Sequence, residues 1–177
     1  MSLILAIHKS PEEVLLMADS CHSDGDNQVI FPHDPKIAVL PQGWLLGMTG
    51  NANADLLLLH GLDYERIEDP LYHRERLKTL KDRDEDVQGN YYLARGGKVY
   101  CLNGAGRFWE VAKPFATMGV GSSVALYLLK KGWPTGDLLG LGYRVIKECV
   151  EHFDSLRLPM VWASSVGGEV HTYEAED

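Results

Sequence analysis

The apolar residues fall in short blocks divided by polar, Gly- and Pro-bearing segments. The first block, Leu3-Ile4-Leu5-Ala6-Ile7, is bounded by Ser2 on one side and His8-Lys9-Ser10-Pro11 on the other. A continuous apolar run this short predicts a buried strand. Val14 to Ala18 repeats the pattern beyond a Ser10–Glu13 turn, so residues 3–18 predict a hairpin that ends on Asp19 and Ser20. Cys21 to Asp26 is polar and reads as a loop, followed by a short strand over Gln28–Phe31. Lys36–Leu40 and Trp44–Thr49 predict two further strands around the tight turn Pro41-Gln42-Gly43.

The period then changes. Gly50 to Asp55 is rich in helix-starting residues, and Leu56–Leu62 predicts a helix that is apolar nearly all round and therefore largely buried. Tyr64 to Asp86 is strongly charged. Leu71, Leu77 and Leu80 there predict a more exposed helix broken at Pro70, and Lys78–Asp86 reads as a solvated face or loop. Strand patterning returns in Gly89–Arg95 and Lys98–Leu102, a hairpin turning on Gly96-Gly97, and in Phe108–Val111. Phe115–Gly119 leads through Val120-Gly121-Ser122-Ser123 into a helix over Val124–Lys131, broken by Gly132–Gly136. Leu138–Phe153 carries an apolar stripe at helical spacing: Leu141, Val145, Ile146, Cys149, Phe153. Two strands close the chain, Met160–Ser164 and Glu169–Tyr173. Hairpins dominate, so the sheets should be antiparallel with helices on their faces. Two stacked antiparallel sheets between helix layers would bury both sets of strands in a single domain spanning residues 1–177.

Composition narrows the function. The chain is 45% hydrophobic and 24% charged, as soluble globular domains are, and its net charge of −8 supplies no basic field for nucleic acid or an anionic membrane. Cys21, Cys101 and Cys149 are widely spaced, with no CxxC, which excludes a disulfide framework or zinc site and suits a reducing, cytoplasmic setting. The seven histidines show no ligand spacing. Gly119-Val120-Gly121-Ser122-Ser123 lacks the third glycine of a dinucleotide fingerprint and the GK[ST] of a P-loop. No metal or organic cofactor is therefore expected. The first apolar run lacks the length and basic flank of a signal peptide, and no stretch is long enough to span a membrane.

Ser2 is the candidate of chemical interest. Removal of Met1 would leave an α-amine and a hydroxyl on one residue, at the head of a rigid strand. Such an amine has a pKa of about 7.7–8.0 and can act as a general base near neutral pH. That is the chemistry of an N-terminal nucleophile.

The element order, with the start Ser2-Leu3-Ile4-Leu5-Ala6-Ile7, resembles the proteasome β-subunit family and its HslV-like relatives. Further matches follow in order: Met17-Ala18-Asp19, His33-Asp34-Pro35-Lys36-Ile37, Leu46-Gly47-Met48-Thr49-Gly50, Ala54-Asp55, and Met118-Gly119-Val120-Gly121-Ser122. The resemblance implies an α+β fold, the four-layer αββα sandwich of N-terminal nucleophile hydrolases. It implies a peptidase in which Ser2 takes the place of the catalytic threonine and Asp19 and Lys36 form an ion pair beneath it. By the same resemblance the Gly47 N–H would face the oxyanion, and Asp154 would orient the N-terminal region. It further implies a homo-oligomeric ring acting on peptide or unfolded protein, with an ATP-dependent unfoldase as partner. The chain departs from the family in using serine and in placing Val120 where a serine of the active-site network is common, and the expectation is that no propeptide precedes Ser2. With no propeptide, a methionine aminopeptidase would have to expose Ser2. If Met1 is retained, the expectation becomes a non-catalytic ring or scaffold subunit.

Overall fold

The computed structural model describes residues 2–24, 27–30, 36–50, 62–81, 89–103 and 107–173. Two five-stranded antiparallel sheets are stacked at its centre. The first runs β10 (Phe115–Gly119), β1 (Leu3–Ser10), β2 (Glu13–Ala18), β11 (Met160–Ser164), β12 (Val170–Tyr173). The second runs β5 (Ile37–Leu40), β6 (Trp44–Gly50), β7 (Gly89–Arg95), β8 (Lys98–Asn103), β9 (Phe108–Glu110). A two-stranded ribbon, β3 (Cys21–Asp24) with β4 (Asn27–Ile30), stands apart from both sheets. The helices are α1 (Pro70–Lys81), α2 (Ser122–Gly132) and α3 (Leu138–His152).

β1 is apolar from Leu3 to Ile7 because both its faces are covered there. Leu3, Leu5 and Ile7 pack with Ala125 and Leu129 of α2 and with Leu141, Val145 and Ile146 of α3. Ile4 and Ala6 face the other way, onto Ile37, Leu45, Tyr92 and Val99 of the second sheet. The far side of that sheet (Trp44, Leu46, Tyr91, Leu93, Tyr100) is covered by Ile67 and by α1, whose His73 stacks on Phe108 with ring centroids 4.5 Å apart. The layers are therefore helix, sheet, sheet, helix, as expected for an αββα sandwich. Burying each large side chain of β1 is worth about 1.5–3 kcal/mol, against about 1–2 kcal/mol for fixing the backbone of a residue, so a strand beside the terminus is held instead of fraying.

The elements differ from the sequence expectation in places. β1 runs on through His8-Lys9-Ser10, with a bulge between His8 and Ser10. Cys21–Asp24 is a strand and not a loop, because the polar segment pairs with β4. Pro70 opens α1 and does not break it: Asp69 caps the helix by accepting from the Leu71 N–H at 2.9 Å, and a first-turn proline gives up no helical bond. Phe115–Gly119 becomes an edge strand of the first sheet, in register with β1 from Leu3↔Gly119 to Ile7↔Phe115. The predicted helix over Leu56–Leu62 falls almost wholly outside the described residues.

His8 is buried at the end of β1 distant from Ser2, and neither ring nitrogen has a hydrogen-bond partner among the described residues. Burial, aided by Lys113, holds its pKa below the ordinary histidine value, with the Gly97 backbone and Glu110 opposing. His73 is lowered the same way, by burial first, despite its bond to the Ile67 carbonyl. A histidine with a depressed folded pKa contributes stability in full above its unfolded value of about 6.5 and loses it as pH falls through the folded value. The urea midpoint should therefore drop between about pH 7.5 and about pH 5, and His8→Leu should drop less than the parent. Equal slopes would mean that His8 titrates alike in the folded and unfolded chain.

Candidate functional site

Asp19 and Lys36 come together at the end of the sandwich where β1 begins and β2 ends. Asp19 is fully buried and Lys36 is 2% exposed. Asp19 continues the β2 ladder by one bond, its N–H donating to the Leu3 carbonyl at 3.3 Å. Lys36 leads directly into β5, and its carbonyl accepts from the Met48 N–H at 2.9 Å, which fixes it against β6. Two strands from different sheets thus deliver opposite charges to one point.

The carboxylate is saturated by donors. Asp19 Oδ1 accepts from Lys36 Nζ at 2.7 Å and from the Leu3 N–H at 2.8 Å. Oδ2 accepts from the Cys21 N–H at 3.0 Å and the Arg157 N–H at 3.4 Å. An unpaired carboxylate in such a place would cost several kcal/mol, at least about 3 by mutational measure, so these donors are what make its burial possible. Burial pulls the Lys36 ammonium below the ordinary lysine value, and the Asp19 charge and hydrogen bond, with a smaller contribution from Cys21, pull it part of the way back.

Ser2 is held from both sides of its peptide link to Leu3. Its carbonyl accepts from the Val120 N–H at 2.8 Å, while the Leu3 N–H is the one bound by Asp19. Strand alternation puts the Ser2 side chain on the face of Ile4, toward the second sheet from which Lys36 comes. Gly119, at φ +98, makes the approach possible: a Cβ there would sit 1.8 Å from the Ser2 carbonyl oxygen. The same point is 3.3 Å from the Thr49 methyl group, so the end of β6 closes over Ser2 from across the sandwich. Thr49 is buried and donates through Oγ1 to the Asn90 carbonyl at 3.2 Å. The sequence reading gave no role to Thr49 or Arg157. The available signal for the first was its place in Leu46-Gly47-Met48-Thr49-Gly50, and nothing local marked the second.

The structure gathers Ser2, Asp19 and Lys36, but it places Gly47 and Asp154 elsewhere. Gly47 lies within β6, in register with Ile37 on one side and Tyr92 on the other. The Met48 N–H points to β5, so alternation turns the Gly47 N–H toward β7. Its missing Cβ makes room for Ile4, whose Cγ2 would be 3.1 Å away. Asp154 is exposed in the turn after α3, and its backbone carbonyl accepts from Arg157 Nη1 at 2.6 Å. The Val120 side chain packs against the helix-side core. A cavity of about 370 Å³ lined by Lys9, Glu13 and Trp162 lies at the opposite end of the first sheet. Among the described residues no group of His, Cys, Asp and Glu is placed to hold a metal ion, and no helix is long and apolar enough to cross a membrane.

No family model matches the chain, and no curated protein matches it in sequence. Solved structures do match. BPH of Thiobacillus denitrificans, in complex with epoxomicin, superposes with a TM-score of 0.76 at 17% identity, over 92% of this chain and 97% of that one. HslV of Trypanosoma brucei gives 0.74 at 14% identity, over 92% and 98%. Anbu, the ancestral beta-subunit of Yersinia bercovieri, gives 0.73 at 16% identity, over 96% and 86%. The chain thus shares its four-layer αββα fold with BPH, HslV and Anbu.

The two members of the buried pair should differ in what their loss costs. Asp19→Leu removes the counter-charge of Lys36 and the acceptor shared by the Leu3, Cys21 and Arg157 amides, whereas Lys36→Met leaves the carboxylate with three amide donors. Urea unfolding should show Asp19→Leu losing about 3–5 kcal/mol and Lys36→Met clearly less. The reverse order would mean that the amide contacts contribute little.

Proposed function

We propose that the chain is a proteasome-like peptidase subunit whose nucleophile is the Ser2 hydroxyl, with the α-amine freed by removal of Met1. The observation that carries the reading is the buried Asp19–Lys36 pair, tied through the Leu3 amide to the link that fixes Ser2. The amine accepts the hydroxyl proton, directly or through one water, as Oγ attacks a peptide carbonyl carbon. The C–N bond then breaks, the leaving amine takes the proton, and Ser2 carries the acyl group as an ester. Water attacks the ester as the amine again accepts a proton, the acyl C–Oγ bond breaks, that proton passes to Oγ to restore the hydroxyl, and the acid product leaves. The Lys36 ammonium, kept charged by Asp19, stabilises the negative charge that develops on oxygen. Gly47 is left out of the oxyanion role in this scheme, because its amide is turned toward β7. The substrate would be peptide or unfolded protein, and the subunits would assemble as a ring of identical copies, with an ATP-dependent unfoldase as a fitting partner.

A second reading is a non-catalytic ring or scaffold subunit that retains Met1. It is favoured by the side chain of Val120, which offers no hydroxyl near the nucleophile, and by the exposure of Asp154.

Intact-mass measurement and peptide hydrolysis separate the two. The peptidase reading expects a mass lacking one methionine, a covalent adduct with an epoxyketone probe, and loss of both adduct and hydrolysis in Ser2→Ala. Lys36→Ala should lower kcat by about 10²–10³ while the protein stays folded. A full-length mass together with no hydrolysis would leave the scaffold reading standing.

A further inference from the structure

Among the described residues Asp19 is held by Leu3 of β1, by Cys21 of β3, by Lys36 just before β5, and by the turn between α3 and β11. Arg157 is where that turn touches it. The Arg157 N–H reaches Asp19 Oδ2 at 3.4 Å, the longest of the four contacts to the carboxylate. The Arg157 carbonyl accepts from the Ser20 N–H at 3.0 Å and from Ser20 Oγ at 3.3 Å. The backbone of Arg157 therefore brackets residues 19 and 20. Its side chain turns the other way: Nη1 donates to the Asp154 and Leu156 carbonyls, both at 2.6 Å. A guanidinium suits this place, since it bridges two acceptors in one plane and carries positive charge just beyond a helix C-terminus.

We propose that Arg157 is a positioning residue for the Asp19–Lys36 pair: its guanidinium locks the turn after α3 so that its own backbone stays fastened to Asp19 and Ser20. The proposal rests on the reading that the pair serves Ser2. In its described contacts Arg157 touches no reacting atom. It acts through the carboxylate, and the long amide contact is the one most sensitive to where the turn sits.

Amide hydrogen exchange by NMR on the full chain tests this without relying on activity. In Arg157→Ala the Leu3 and Cys21 amides, which donate to Asp19, should exchange at least ~10-fold faster, with Leu93 and Val99 in the second sheet unchanged. Arg157→Lys should fall between, because an ammonium lacks the planar fork, and it serves as the readable variant if the alanine protein does not fold. On peptide reporters, kcat should fall with KM unchanged and the rate–pH profile should shift. Unchanged exchange at Leu3 and Cys21 would overturn the proposal. So would equal acceleration at Leu93 and Val99, since that is general destabilisation. If the parent hydrolyses nothing, the exchange result still decides the role of Arg157, and the failure belongs to the Ser2 reading alone.

Discussion

A carboxylate removed from water must find donors, and around Asp19 that requirement organises the end of the molecule. No single element can satisfy it. Leu3 comes from the start of β1, Cys21 from the start of β3, Lys36 from the lead into β5, and Arg157 from the turn after α3. Each is carried by a different part of the sandwich, so the pair forms only when both sheets and the helix-side turn are in place. A buried ion pair is weak evidence of stability in itself. This one is better understood as a register mark: it fixes where β1 begins relative to β5, and hence where Ser2 stands.

The layers were legible in the sequence because their cause is local. An uninterrupted apolar run, such as Leu3 to Ile7, has to be covered on both faces, and the helix stripe of Leu141, Val145, Ile146 and Cys149 supplies one cover. The hairpins announced themselves through Gly96-Gly97 and Pro41-Gln42-Gly43. Asp19 and Lys36 were legible only through resemblance, since a separation of seventeen positions along the chain hides their contact. What was not legible depends on distant chain. Phe115–Gly119 reads as a strand only once β1 is there to pair with it. Cys21–Asp24 needs β4. Gly47 resembled an oxyanion glycine in its motif, yet in the sheet it answers to the bulk of Ile4 on the facing strand. Arg157 acts through its backbone and two carbonyls, and no residue pattern advertises that.

Fold and chemistry stand on different footings here. The architecture matches BPH, HslV and Anbu across most of each chain, at identities of 17% or less. Similarity that low follows the packing of apolar faces and says little about any one side chain. The chemical proposal therefore leans on three residues and on one covalent event, the unmasking of an amine. The described donors to Asp19 all lie beyond Ser2 in the chain, which is why a scaffold role and a hydrolytic role fit one fold.

The grip on the peptide plane between Ser2 and Leu3 has a mechanical consequence. The carbonyl is tied to Val120 and the amide to Asp19, in opposite directions, so the plane and the Ser2 Cα attached to it cannot swing. What remains is rotation about the Cα–C bond, and that rotation carries the nitrogen and the hydroxyl-bearing carbon together. The proposed base and nucleophile would then move as one rigid piece, their separation governed by a single side-chain torsion. The orientational freedom that a bimolecular reaction must surrender at the moment of attack has, for these two groups, already been given up when the chain folded.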